Sequence, residues 1–83
     1  MISILRIDAA KARAGFRSNA SVYTLIRAGK WTKPVRISER CSGWPAHEVD
    51  ALCKAKIAGA TELQIRQLVD RLHAERAELL PTI

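Results

Sequence analysis

At 83 residues the chain is long enough for one small domain with one modest hydrophobic core. Its apolar share of 48% is that of a globular protein and argues against wholesale disorder, and no apolar run approaches the roughly 18–20 residues that cross a bilayer. The net charge of +6 is unevenly placed: residues 1–45 carry nine Lys and Arg against two acids, a net +7, while residues 46–83 carry five against six. Such asymmetry is the footprint of a nucleic-acid binder, or else of a basic solubilising face.

In chain order, Ile4 to Ile7 is short and β-branched and predicts an edge strand. Asp8 is placed to cap a first helix over 9–14, with Ile7 as a hydrophobic staple and Gly15 as its stop. Phe16 anchors the turn that follows. Ser18 caps a second helix, 19–28, in which Val22, Leu25 and Ile26 fall on one stripe. Ala20, Tyr23, Thr24 and Arg27 then face the opposite way, and Gly29 ends the helix. Two short helices across a glycine-containing turn predict a helix-turn-helix whose second member is the recognition helix.

Lys33 to Ile37 predicts a strand with Pro34 tolerated near its start, Ser38 to Ser42 a hairpin tip, and Gly43-Trp44 a short return strand. This hairpin reads as a wing. Pro45 suits the start of a third helix. Its apolar stripe is Val49, Leu52, Cys53 and Ile57, with His47, Glu48, Asp50 and Lys54 toward water, and Gly59 closes it. Thr61 and Gln64 fit a capping box opening a fourth helix to about Leu80, with Ile65, Leu68, Val69, Leu72 and Leu79 on one side and Pro81 as its stop. The predicted fold class is mainly α with a small β-hairpin: a winged helix-turn-helix over 1–58 and a C-terminal helical extension over 59–83. That extension either folds back on the same unit or pairs with its copy. Glu75 breaks its heptad pattern, so a short helical dimer fits better than a long coiled coil.

The chemistry lies in polar and basic side chains. Arg27 can read guanine bidentately, and Thr24 can offer a hydroxyl or meet a thymine methyl. Tyr23 either bonds a phosphate or packs on the first helix. Ser18 and Asn19 lie at a helix N-terminus, where backbone N–H groups favour phosphate, and Asn19 can also read adenine. Arg17, Ala20 and Lys30 border the same face. Lys33, Arg36, Ser38 and Arg40 belong to the wing, with Arg40 set either for a minor groove or for a pair with Glu39 or a carboxylate of the third helix. Trp31 and Trp44 read as buried supports of the wing rather than stacking platforms.

No Ser/His/Asp set and no Gly-rich phosphate loop occurs, so neither an enzyme nor a cofactor is expected. Zinc would need Cys41, His47, Cys53 and His73, and the Cys-x5-His-x5-Cys spacing matches no usual zinc knuckle. His47 and His73 read as solvated, and the two thiols as reduced. Met1 to Arg6 lacks a basic region followed by a long apolar stretch, so a cytoplasmic protein is expected.

The run Ser18 to Ile37 (SNASVYTLIRAGKWTKPVRI), with Arg40, Gly43-Trp44 and Glu48-Val49-Asp50-Ala51, resembles the AlpA family of small prokaryotic and prophage regulators. These carry a MerR-like, excisionase-type winged helix, and the resemblance covers about residues 4–57. Its Tyr, Gly, Pro, Arg and Trp landmarks occur together, in order and in register. The chain departs from the family pattern in three ways: one extra residue between Gly15 and Ser18, Thr32 where Pro is common, and Asn19 and Thr24 in place of frequent arginines. The resemblance implies a double-stranded DNA-binding transcriptional regulator. Two other roles stay open: an excisionase-like DNA-bending factor, and an adaptor or viral DNA-packaging subunit built on the same motif. The resemblance says nothing about the fourth helix. The expected partner is double-stranded DNA, with a second copy through the apolar face of the C-terminal helix, or an integrase or RNA polymerase, as further candidates.

Overall fold

The computed structural model describes residues 3–80, and the caps and glycines of the sequence decide where most of its elements end. Strand β1 (Ile4–Leu5) runs directly into helix α1 (Ile7–Ala14). The capping position is Arg6, with no side-chain cap, rather than the expected Asp8. The Arg6 carbonyl accepts the first helical bond from the Ala10 N–H at 2.9 Å, so the strand hands its backbone straight to the helix. Ile7 is therefore inside α1 and packs on the core, and Asp8 sits in the first turn, 3.5 Å from Lys11.

Helix α2 (Asn19–Arg27) opens as expected: the Ser18 hydroxyl accepts the Ser21 N–H at 3.2 Å. It closes in a Schellman turn, with Lys30 N–H on the Leu25 carbonyl at 2.9 Å and Gly29 N–H on that of Ile26 at 3.1 Å. Gly29 takes φ +76°, a left-handed conformation that glycine adopts without steric cost.

The hairpin joins β2 (Val35–Ser38) to β3 (Cys41–Pro45). Its strand begins later and its tip is shorter than expected, since only Glu39 and Arg40 bridge the strands. Arg36 pairs with Ser42 and Ser38 with Cys41, which leaves Ile37 as an extra, bulged residue. That bulge draws Ser38 and Cys41 into the ladder. β1 adds to the free side of β3, giving an antiparallel sheet of order β1-β3-β2. Gly43 is enclosed there: a Cβ on it would lie 2.5 Å from the Leu5 carbonyl oxygen and 2.8 Å from Ile4 Cγ2.

Helix α3 (Ala46–Ile57) follows Pro45, and α4 (Glu62–Glu75) opens with both bonds of the Thr61–Gln64 capping box. α4 ends earlier than expected and tightens into a 3-10 turn, Arg76–Leu79. Past Leu72 its stripe has no core left to cover, and Leu79 is exposed. The stop expected at Pro81 lies outside the described residues. Ala10, Val22, Trp31, Trp44, Val49, Leu52, Ile65, Val69 and Leu72 form one core, so α4 shares its interior with α1, α2 and α3.

Two expectations for α3 fail. Ile57 is 87% exposed, because at 100° per residue it lies about 140° around the helix from buried Leu52, off the face that packs on the core. Glu48, expected in water, is 0% exposed. Arg76 reaches across from the end of α4 and binds it bidentately, Nε to Oε2 at 2.8 Å and Nη2 to Oε1 at 2.6 Å. The same Nη2 donates to the Lys33 carbonyl at 2.6 Å. Nearby, Trp44 Nε1 donates to the Thr32 carbonyl at 2.8 Å, which ties β3 to the segment leading into β2.

Breaking a buried ion pair from one side leaves an uncompensated charge, at a cost of about 3–5 kcal/mol. Arg76→Met is therefore expected to lower the unfolding free energy by about that amount in urea titrations. The double variant Glu48→Leu/Arg76→Met should recover most of the loss, because no buried charge remains.

Candidate nucleic-acid interface

Among the described residues there is no enclosed pocket and no group of three or more His, Cys, Asp or Glu side chains placed to hold a metal ion. The side chains with recognition chemistry are on the surface of α2 and the hairpin. α2 buries Val22 and half-buries Leu25 and Ile26, which turns Ala20, Tyr23, Thr24 and Arg27 outward. Arg27 Nη2 lies 3.4 Å from Thr24 Oγ1, a long contact that lays the guanidinium along the helix face. Tyr23 is 39% exposed. It meets Trp44 edge-on, with centroids 6.3 Å apart, so the outer face of α2 lies beside β3.

At the helix N-terminus, Arg17, Ser18 and Asn19 are all exposed. The Ser18 hydroxyl is engaged as the cap and shares a 2.9 Å bond with the Ser21 hydroxyl. On the hairpin, Arg36, Ser38 and Arg40 are exposed, as is Lys33 just before it. Lys30 differs from the rest: it is half-buried, and its ammonium pairs with Glu62 of α4 at 2.8 Å. The hydrogen bond and charge of Lys30 hold the Glu62 carboxyl below its ordinary range.

Trp31 and Trp44 are each 1% exposed and belong to the core. Phe16 meets Trp31 edge-on at 5.0 Å, and the Lys56 ammonium lies 4.6 Å and 5.1 Å from the two ring centroids. Lys56 stays exposed, and the desolvation of its ammonium beside these rings lowers its pKa. Among the basic residues of the first half, Lys11 pairs with Asp8 and Arg13 with Asp50, the latter at 3.3 Å. Cys41 and Cys53 are free and half-buried, and the Cys53 thiol points to the Arg13 carbonyl at 3.9 Å.

The polar residues of α4 carry contacts that sequence reasoning did not anticipate. His73 is not a solvated surface residue: its Nε2 accepts the Lys33 N–H at 3.0 Å. Arg66 Nε donates to the Ala28 carbonyl at 3.2 Å. Burial pushes the His73 pKa below its ordinary value, the Arg76 and Lys33 cations push the same way, and Glu48 and Asp70 oppose them. A protonated imidazole cannot accept the Lys33 N–H.

A histidine whose folded-state pKa lies below the ordinary 6.5 contributes stability that is complete above that pH and lost as pH falls through the folded value. Denaturation midpoints measured from about pH 7.5 down to about pH 5 should fall more steeply for the native protein than for His73→Gln, which keeps an acceptor but does not titrate. Parallel profiles would remove His73 from this role.

No helix among the described residues is long and apolar enough to cross a membrane. Residues 3–57 match the family model described as prophage CP4-57 regulatory protein (AlpA). Comparison with curated proteins and with solved structures gives no match. The matched span runs from β1 to the end of α3 and takes in α2, the hairpin and both tryptophans, while α4 lies outside it. With well over half of its length matched, in a mainly helical fold carrying a small antiparallel sheet, the chain belongs to the AlpA family of prophage regulatory proteins.

Proposed function

We propose that this protein is a sequence-specific double-stranded DNA-binding regulator, with α2 in a major groove and the β2–β3 hairpin as a wing on the flanking backbone or minor groove. The observation that carries the reading is the outward face of α2, where Thr24 and Arg27 stand exposed beside a hairpin bearing Arg36 and Arg40. A major groove admits one helix, and phosphates on either side call for cations beside it. Arg27 and Thr24 read bases, and Tyr23, Ala20 and Asn19 line the groove. Arg17, Ser18 and the free N–H groups of the first turn of α2 take phosphate. Lys33, Arg36, Ser38 and Arg40 hold the wing. Lys30 contributes less than its charge implies, because Glu62 already neutralises it.

A bending role has one observation in its favour. Ile37, the bulged residue, is 45% exposed between Arg36 and Ser38. Apolar side chains exposed beside cations are what minor-groove proteins insert between base steps to kink a duplex. Bend angles measured on an isolated site, with and without Ile37→Ser, separate bending from simple occupancy of a promoter.

Selection of bound sequences from a random duplex pool should yield a defined site, bound with steep salt dependence. On that site Arg27→Ala should relax preference at one position by about 1–3 kcal/mol. Lys33→Ala should weaken all duplexes alike and reduce the salt slope by about one. Absence of binding to any duplex at low salt would defeat the proposal, and equal, unselective losses in both variants would displace α2 as the reading element.

A further inference from the structure

The segment joining the recognition helix to the wing, 28–34, is gripped along its length by the helix that follows the family-matched region. Glu62 holds the Lys30 ammonium at 2.8 Å, and Arg66 holds the Ala28 carbonyl at 3.2 Å. Farther along, His73 accepts the Lys33 N–H at 3.0 Å and Arg76 donates to the Lys33 carbonyl at 2.6 Å. Between these two ends Trp31 and Thr32 are buried. The spacing is that of one helix face: at 100° per residue, positions 62, 66, 69 and 73 fall within about 60° of one another, and Arg76 follows one turn on. Val69, in the middle of that face, is in the core.

We infer that α4 and its 3-10 turn are a brace that fixes the wing's attitude relative to α2, with Glu62, Arg66, His73 and Arg76 as positioning residues for DNA recognition. A connection without such grips would let the hairpin swing about residues 28–34. Both elements would still meet phosphate, because that attraction is tolerant of geometry. Simultaneous docking of α2 in the groove and of the wing beside it requires one fixed angle, so the brace acts on discrimination rather than on overall attraction. Arg76 has a second duty toward Glu48, which makes the two ends of the brace unequal: Glu62 and Arg66 grip without supporting a buried charge.

The inference rests on the DNA-binding reading, and two readouts keep them apart. The first is amide hydrogen exchange of the free, full-length protein, followed at Lys33 and at the wing residues 35–45. The second is the ratio of specific to non-specific duplex affinity. Three variants serve: His73→Ala; Arg76→Lys, which keeps a cation for Glu48 but lacks the fork that also reaches Lys33; and Glu62→Gln/Arg66→Met, which leaves the Glu48–Arg76 pair intact.

The expected result is faster exchange at Lys33 in the first two variants, and faster exchange across the wing in all three. The specificity ratio should fall by roughly tenfold in each, the scale of one lost hydrogen bond; non-specific affinity should stay unchanged in His73→Ala and Arg76→Lys and rise in the double variant, where Lys30 loses its counter-ion. Native discrimination in variants whose wing exchanges faster would overturn the brace, as would unchanged exchange in all three. If Arg76→Lys fails to fold, the other two decide. If the native protein binds no duplex, the DNA reading falls and the exchange comparison alone decides whether α4 holds the wing.

Discussion

A carboxylate sealed away from water at position 48 is the constraint around which this small protein is arranged. Burying an isolated charge costs several kcal/mol, and the loss is offset only by a partner of opposite sign in good geometry. Glu48 obtains that partner from Arg76, 28 residues later, through a bidentate contact. The pairing closes the end of α4 against the start of α3. Because Arg76 also holds the Lys33 carbonyl, the route to the hairpin is fixed by the same guanidinium. The region that matches the AlpA family thus contains a buried charge whose counter-ion lies outside it.

Much of the fold was legible because its boundaries are local. Ser18, Thr61 and Gln64 cap as their types require, and Gly29 turns the chain where the stripe of α2 ends. The outward face of α2 followed from three apolar residues at helical spacing. What was not legible depends on partners distant in sequence. Asp8 gave way as a cap because β1 delivers the backbone of Arg6 directly to the helix. Glu48 and Ile57 exchanged their expected environments because the buried face of α3 is centred near Leu52, turned toward Glu48 and away from Ile57, and a stripe of apolar residues cannot show that rotation when one buried position is a glutamate. A signal did exist: Glu48 lies four residues before buried Leu52, and Arg76 four after buried Leu72, so each continues an apolar stripe with a charge of opposite sign. Read singly, each looks like a solvated residue, and only the pair explains both. His73 was missed for a similar reason, since its partner is a backbone N–H rather than a side chain.

Composition overstated the charge available for binding. Of nine basic residues in the first half, Lys11, Arg13 and Lys30 are tied to Asp8, Asp50 and Glu62. Arg6, Arg17, Arg27, Lys33, Arg36 and Arg40 remain exposed, and five of these six, all but Arg6, lie along the α2–hairpin stretch. Local pairing therefore sharpens a diffuse electropositive half into a directed surface. The two tryptophans are buried in the core beneath that stretch and offer no face on which a base could stack.

The contacts that α4 makes with Ala28 and Lys33 are to peptide carbonyls and an N–H, not to side chains. Peptide groups are the same in every residue but proline, which lacks the N–H. The scaffold is consequently blind to which side chain other than proline's stands at position 33, and α4 makes none of these bonds to the exposed side chains at 20, 24 or 27. A lineage can rewrite these letters, one at a time, while the frame that presents them stays intact. Mobile elements meet new insertion sites and new hosts, and if α2 reads DNA as proposed, a regulator whose exposed helix face is uncoupled from its framework can follow them by point mutation alone.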